Sequence, residues 1–175
     1  MTKYYAGIGS RSVPDNMFQL CFELSKKLAK DGWTCRSGGA KGCDTAFQQG
    51  SSKFEIYYPS KTYLTDKREK LSIPIDKWEQ AEEIAASHHP AWRNLSEYVK
   101  SLHTRNVFQL LGLEQQSSSF VVCWTPDGAE NRSSTTKKTG GTGQAIRVAD
   151  SLGIPVFNLN KHTSLERIKE WLKKT

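Results

Sequence analysis

Three short stretches of the chain combine glycine with hydroxyls or cations: Gly7-Ile-Gly-Ser-Arg-Ser12, Ser37-Gly-Gly-Ala-Lys-Gly42 and Thr139-Gly-Gly-Thr-Gly143. Such stretches suit one kind of chemistry, the capture of an anion. Glycine has no Cβ, so bare main-chain N–H groups can close on a charged oxygen. A helix that starts there adds the positive end of its dipole. Arg11, Lys41, Lys137 and Lys138 lie in or beside these stretches and would add full charges. Any one stretch serves equally well as a tight turn that needs glycine for backbone reasons. Three in one chain favour phosphate, borne by a nucleotide, a sugar phosphate or a nucleic-acid backbone. The expected cradle is Gly9, Ser10, Arg11, Ser37, Gly38, Gly39, Lys41, Gly140, Gly141 and Thr142, with Asp44 beside it.

Catalysis on such a ligand would need a carboxylate, and Asp44, Asp127 and Glu130 are the candidates. Asp44 could hold a ribose hydroxyl or act as a base; equally, it could cap the helix that begins beside it. Arg11 reads as a ligand contact or as a structural partner of Asp44. His88-His89, with Trp92 nearby, has no further ligands at suitable spacing, so it reads as a surface pair and no metal site is expected. His103 is ambiguous. Trp124 could stack on a base, but core packing is favoured for it, as for Trp33 and Trp78. The first stretch has Ser12 where a dinucleotide fingerprint wants its last glycine, and no acid follows at ribose-binding distance. Residues 38–45 lack the Gly-Lys-Ser/Thr ending of a P-loop. NAD-dependent redox chemistry and P-loop ATPase chemistry are therefore not expected, and no cofactor is implied.

The elements that must position these residues alternate. Strands are predicted at Tyr4–Ile8, 32–35, Phe54–Tyr58, Phe120–Trp124 and Ile154–Phe157. Helices are predicted after Pro14 (Met17, Leu20, Cys21, Leu24 and Leu28 at helical spacing), over Thr45–Gln49, from Ser96, around Ala145–Leu152 and from near Thr163. Asp76-x-x-Glu79 resembles a capping box for one more helix. Residues 59–75 read as irregular and the polar 125–139 stretch as a mobile loop. Strands alternating with helices imply βαβ crossovers. The predicted fold is α/β: one Rossmann-like, doubly wound, mostly parallel sheet flanked by helices, forming a single domain over 1–175. In such sheets ligands bind beyond the carboxyl ends of the strands, at a switch point.

Charge and composition agree with this. Hydrophobic residues make up 37% and charged residues 25% of the 175, as in globular rather than disordered proteins, and the net charge of +7 favours an anionic partner. Cysteines 21, 35, 43 and 123 form no CxxC pair and read as buried free thiols in a reducing, cytoplasmic setting. No stretch is long enough to span a membrane, and the first residues lack the apolar run of a signal peptide. The oligomeric state, homo-oligomer included, stays open.

Taken in order, Gly7-Ile-Gly-Ser-Arg11, Ser37-Gly-Gly-Ala-Lys-Gly-Cys-Asp44, Arg105-Asn106 and Thr139-Gly-Gly-Thr-Gly-Gln-Ala145 resemble the SLOG superfamily. The pattern is most similar to the DNA-processing protein A (DprA/Smf) family. Its Gly-Ser-Arg turn matches 9–11 and its Ser-Gly-x-Ala-x-Gly-x-Asp turn matches 37–44. Its Arg-Asn-Arg element matches Arg105-Asn106, with Val107 in place of the second arginine. The opening Tyr-Ala-Gly-Ile-Gly-Ser-Arg also resembles small, often phage-encoded members. The resemblance implies a Rossmann-like sheet whose glycine turns hold phosphates, and it adds Arg105 and Asn106 to the expected ligand contacts. In the DNA-processing family the phosphates are those of single-stranded DNA. In the more distant Lonely Guy (lysine-decarboxylase-like) family they belong to a nucleoside monophosphate whose N-glycosidic bond is cleaved. Against that hydrolase pattern Thr139 replaces proline, Gln144 replaces threonine, and Arg147 stands at the catalytic glutamate. The expected function is binding of a nucleotide, a nucleotide-derived signal or single-stranded nucleic acid, with a nucleotide N-glycoside hydrolase or transferase, or a single-stranded DNA-binding protein, as alternatives.

Overall fold

In the computed structural model, residues 1–174 are described. The chain runs β1 (Lys3–Gly9), α1 (Asp15–Lys30), β2 (Trp33–Ser37), α2 (Cys43–Gly50), β3 (Phe54–Tyr58), β4 (Thr62–Thr65), β5 (Lys70–Ser72), α3 (Ile75–Ser87), α4 (Glu97–Leu111), β6 (Val121–Trp124), α5 (Thr142–Ser151), β7 (Val156–Asn158) and α6 (His162–Lys173). One seven-stranded sheet has the order β5-β4-β3-β2-β1-β6-β7. Strands β1, β2, β3, β6 and β7 are parallel, and β4 and β5 add an antiparallel edge. The expected mostly parallel α/β sheet is what forms.

Both faces of the sheet are covered, which is why β1 and β6 read as apolar runs. Tyr5, Cys35 and Val122 point to a core with Leu24, Leu28 and Phe47 of α1 and α2, against which α6 packs Leu165, Ile168 and Trp171. Their neighbours Ala6, Val121 and Cys123 point to the opposite face, with Leu110 of α4 and Ile146, Val148 and Ala149 of α5. The strand period of two thus divides consecutive residues between two cores. All four cysteines are buried free thiols. Among the described residues no helix is long and apolar enough to cross a membrane.

Two local expectations need correction. Residues 59–75 are not irregular: they fold back as the β4–β5 edge. Tyr57 and Tyr63 pair across β3 and β4 with stacked rings 5.5 Å apart. That cross-strand contact comes from tertiary pairing, which a scan for buried apolar runs does not register. Asp76 and Glu79 form no capping box. Helix α3 starts earlier, behind Pro74, whose extended ψ of 142° ends the preceding segment, and Asp76 sits inside the first turn. Ser96 does open α4 as expected, and its hydroxyl caps the helix by accepting from the Val99 amide at 3.2 Å.

The β1–α1 loop and the start of α2 press together at Gly42. Its φ is +80°, and a Cβ there would lie 2.7 Å from the Arg11 carbonyl oxygen, 2.8 Å from the Arg11 Cα, and closer still to the Ser10 carbonyl oxygen. Backbone cannot yield as a flexible side chain can. Gly42→Ala should therefore cost at least about 2 kcal/mol, seen as a lower urea midpoint at unchanged slope.

Candidate functional site

Strand β1 lies between β2 and β6, and the chain winds outward from it in both directions. The carboxyl end of β1 is therefore the topological switch point, where crossovers part and leave a crevice. The Ser10 amide donates to the Trp124 carbonyl at 2.9 Å, tying the end of β1 to β6, and the Cys43 amide donates to the Ser10 carbonyl at 3.2 Å, tying it to α2. A cavity of about 550 Å³ opens above these ends. Its wall includes Gly9, Ser10 and Arg11 from the first glycine stretch, Ala40 and Asp44 from the second, and Lys138 to Thr142 from the third. Arg105, Asn106 and Gln109 of α4 complete its floor, and Arg147 of α5 closes one side.

Asp44 changes what the first two turns can do. Its carboxylate accepts from the Ala40 amide at 3.3 Å. Burial pushes its pKa up to about 6, while the Arg105 guanidinium and the amides of Ala40, Gly38 and Gly9 pull the other way. One backbone donor expected to meet a ligand phosphate, the Ala40 amide, is thus taken up by an internal acid. The second turn is a brace rather than a cradle. Ser37 is buried, its hydroxyl donating to the Gly7 carbonyl at 2.6 Å. The Gly38 carbonyl accepts from Arg105, Gly39 abuts Tyr58, and Lys41 is exposed. Ser37, Gly38, Gly39 and Lys41 do not line the cavity.

Arg105 and Asn106 are the bolts of the assembly. Arg105 Nη1 donates to the carbonyls of Gly38 and of Tyr57, the latter at 3.2 Å, joining α4 to the ends of β2 and β3. Asn106 Nδ2 donates to the Gly141 carbonyl at 3.3 Å, joining α4 to the third turn. That third turn is the open one. Gly140 has φ +64°, and a Cβ at Gly140 or Gly141 would meet nothing within 4 Å. Gly141 caps α5, which has no side-chain cap of its own. An N-terminus so arranged offers amides and a dipole end to an anion.

The other two acid candidates lie elsewhere and are fully engaged. Asp127 accepts from Thr125 Oγ1 at 2.8 Å, Thr136 Oγ1 at 2.7 Å, the Ala129 amide at 3.3 Å and the Thr139 hydroxyl. Burial opposes its charge, yet those hydroxyls hold its pKa down to about 2. Glu130 accepts from the Asn158 amide at 2.8 Å and from Ser164, and pairs with Lys161 at 2.9 Å. The 125–139 stretch, expected to be a loose loop, is tied down by these two carboxylates and two short 3₁₀ turns.

The histidine pair divides. His88 contacts Arg132 at 2.8 Å through Nδ1 and Ser151 at 3.2 Å through Nε2. His89 lines the cavity beside His103, ring centroids 4.9 Å apart. Burial, and then the neighbouring His89, pull His103 down to about 4. Trp124 is buried in the core and does not line the cavity. Sequence reasoning missed Gln109 and gave Arg147 no binding role. The helical spacing of Arg105 and Gln109 was the available signal for Gln109, since residues four apart share a face.

No protein-family model and no curated protein matches the chain. Among solved structures it is similar to DNA processing protein A from Helicobacter pylori, in a structure describing that protein's single-stranded DNA binding mode. The identity is 14% and the TM-score 0.41, over 98% of this chain and 81% of that one. At that identity no site residue carries over from one chain to the other.

A buried acid with a raised pKa has a definite signature. The folded state keeps the Asp44 proton up to about pH 6, whereas the unfolded chain releases it near 3.8. The proton-linked stability is complete below about pH 4 and is lost as pH rises through 6. His103 works oppositely, costing stability as pH falls from 6.5 towards 4. Asp44→Asn keeps an acceptor for the Ala40 amide, so subtracting its urea stability from that of wild type isolates the acid. The variant should gain relative to wild type as pH rises from 4 to 7.

Proposed function

We propose that the chain binds a small phosphate-bearing ligand, a nucleotide or nucleotide derivative, in the switch-point cavity, with its phosphate against the start of α5. One observation carries this reading. Four cationic side chains, Arg11, Arg105, Lys138 and Arg147, line the cavity together with the glycine-opened N-terminus of α5. Among the described residues lining it, the sole acid is Asp44, which already accepts from the Ala40 amide. The excess positive charge lacks an internal partner, and a dianion would supply it. Ile8, Val99, Leu102 and Ala145 give the same cavity an apolar wall, suited to a base or the face of a sugar. A volume of about 550 Å³ suits one nucleotide better than a long strand.

The Asp44 carboxyl, with its pKa near 6, favours a second reading: cleavage of the N-glycosidic bond of the bound nucleotide. A carboxyl tuned close to neutrality can hold or give up a proton in the working pH range. Release of free base from ribonucleoside monophosphates by wild type, and its loss in Asp44→Asn, would establish that activity.

Calorimetry tests the binding reading directly. Ribonucleoside 5′-monophosphates should bind, and the matching nucleosides should bind far more weakly. Arg11→Ala and Arg147→Ala should each weaken monophosphate binding by about ten- to a hundredfold, the worth of a charge-assisted hydrogen bond. Equal affinity for nucleoside and monophosphate would sink the reading. Tight binding confined to single-stranded oligonucleotides, falling steeply with salt, would transfer the site to a nucleic-acid backbone.

A further inference from the structure

The floor of the cavity holds a buried donor and a buried acceptor that no protein atom satisfies. Arg105 Nε and Gln109 Oε1 both lack a hydrogen-bond partner. The residues are 7% and 2% exposed, and both line the cavity. They stand four residues apart on α4, so they share a face. Both crowd Gly38, where a Cβ would lie 2.6 Å from Gln109 Nε2 and closer still to Arg105 Nη1. Asp44 lines the same floor and feels the Arg105 charge, yet no ion pair within 4 Å joins the two among the described residues.

Unpaired buried polar atoms of opposite character call for a group that both accepts and donates. A fully ionised phosphate only accepts, and an ammonium only donates. A hydroxyl does both. We propose that Arg105, Gln109 and Asp44 form a hydroxyl-binding subsite that selects a ribose phosphate over its 2-deoxy counterpart, with Gln109 as the residue that sets the preference. The inference rests on the phosphate-binding reading above and narrows its ligand class. With the phosphate at the start of α5, one sugar hydroxyl accepts from Arg105 Nε and donates to Gln109 Oε1, and its neighbour donates to Asp44. A site built to pair with a hydroxyl discriminates against the analogue that lacks it, because its own buried atoms are then stranded.

The test uses the full chain and two base-free probes, ribose 5-phosphate and 2-deoxyribose 5-phosphate, in calorimetric titrations. Wild type should bind the ribose ester at least tenfold tighter. Gln109→Met, close in volume and without the acceptor, should bring the two affinities within about twofold of each other. Equal wild-type affinities, as expected if a water satisfies the floor, would overturn the subsite and leave phosphate binding intact. Binding of neither ester would overturn the subsite, and the phosphate reading falls with it only if ribonucleoside 5′-monophosphates also fail to bind. A preference that persists in Gln109→Met would remove Gln109 from the role. Should that variant fail to fold, the wild-type ratio alone decides the proposal.

Discussion

The arrangement turns on two buried charges at the switch point, the Asp44 carboxyl and the Arg105 guanidinium, each of which feels the other's charge. Neither group is cheap to bury. Arg105 is tolerated because Nη1 reaches two main-chain carbonyls, Gly38 and Tyr57, that would otherwise need donors. Asp44 is tolerated because the Ala40 amide donates to it and the Arg105 charge favours its ionised form. Arg105 thereby joins α4 to the ends of β2 and β3, while Asp44 holds the turn between β2 and α2. The cavity is the space these obligations leave open.

That division of labour accounts for the different fates of the three glycine stretches. The first two carry the internal ties, although Gly9, Ser10 and Arg11 of the first also line the cavity. In the first, Ser10 joins β6 and α2 through its amide and carbonyl; in the second, Gly38 gives its carbonyl to Arg105. Glycine is required there because neighbouring backbone and side chains approach too closely for a Cβ, as at Gly38 and Gly42. The third stretch is drawn outward: open space surrounds Gly140 and Gly141, and Asn106 holds the turn from behind. Similar composition serves as mortar in one place and as an open surface in another. What separates the cases is which neighbouring element carries the buried charge.

The polar 125–139 stretch shows the same economy. Its hydroxyls look exposed and idle in the sequence, but Thr125, Thr136 and Thr139 converge on Asp127. Glu130 then joins the stretch to β7 and α6. Two carboxylates that resemble catalytic candidates instead hold the rim on which Lys138 and Gly140 stand. Carboxylates surrounded by three or four donors have little capacity left for a substrate.

From the sequence alone, the alternation of apolar runs and helical periods determined the parallel α/β sheet. Burial on both faces leaves a one-dimensional signature in Tyr4–Ile8 and Phe120–Trp124, and Ser96 marked its helix start through a local capping bond. The sequence also singled out the glycine stretches, Asp44 and the Arg105-Asn106 pair as belonging together. Which of them would face the cavity was decided by tertiary structure, because that depends on where a distant helix delivers its charge. Gln109, Arg147 and His89 line the cavity only because α4, α5 and the end of α3 meet over the end of β1, and no local pattern encodes that meeting. The β4–β5 edge was hidden for a related reason: β4 is half-buried, β5 is exposed, and both draw their order from pairing outward from β3.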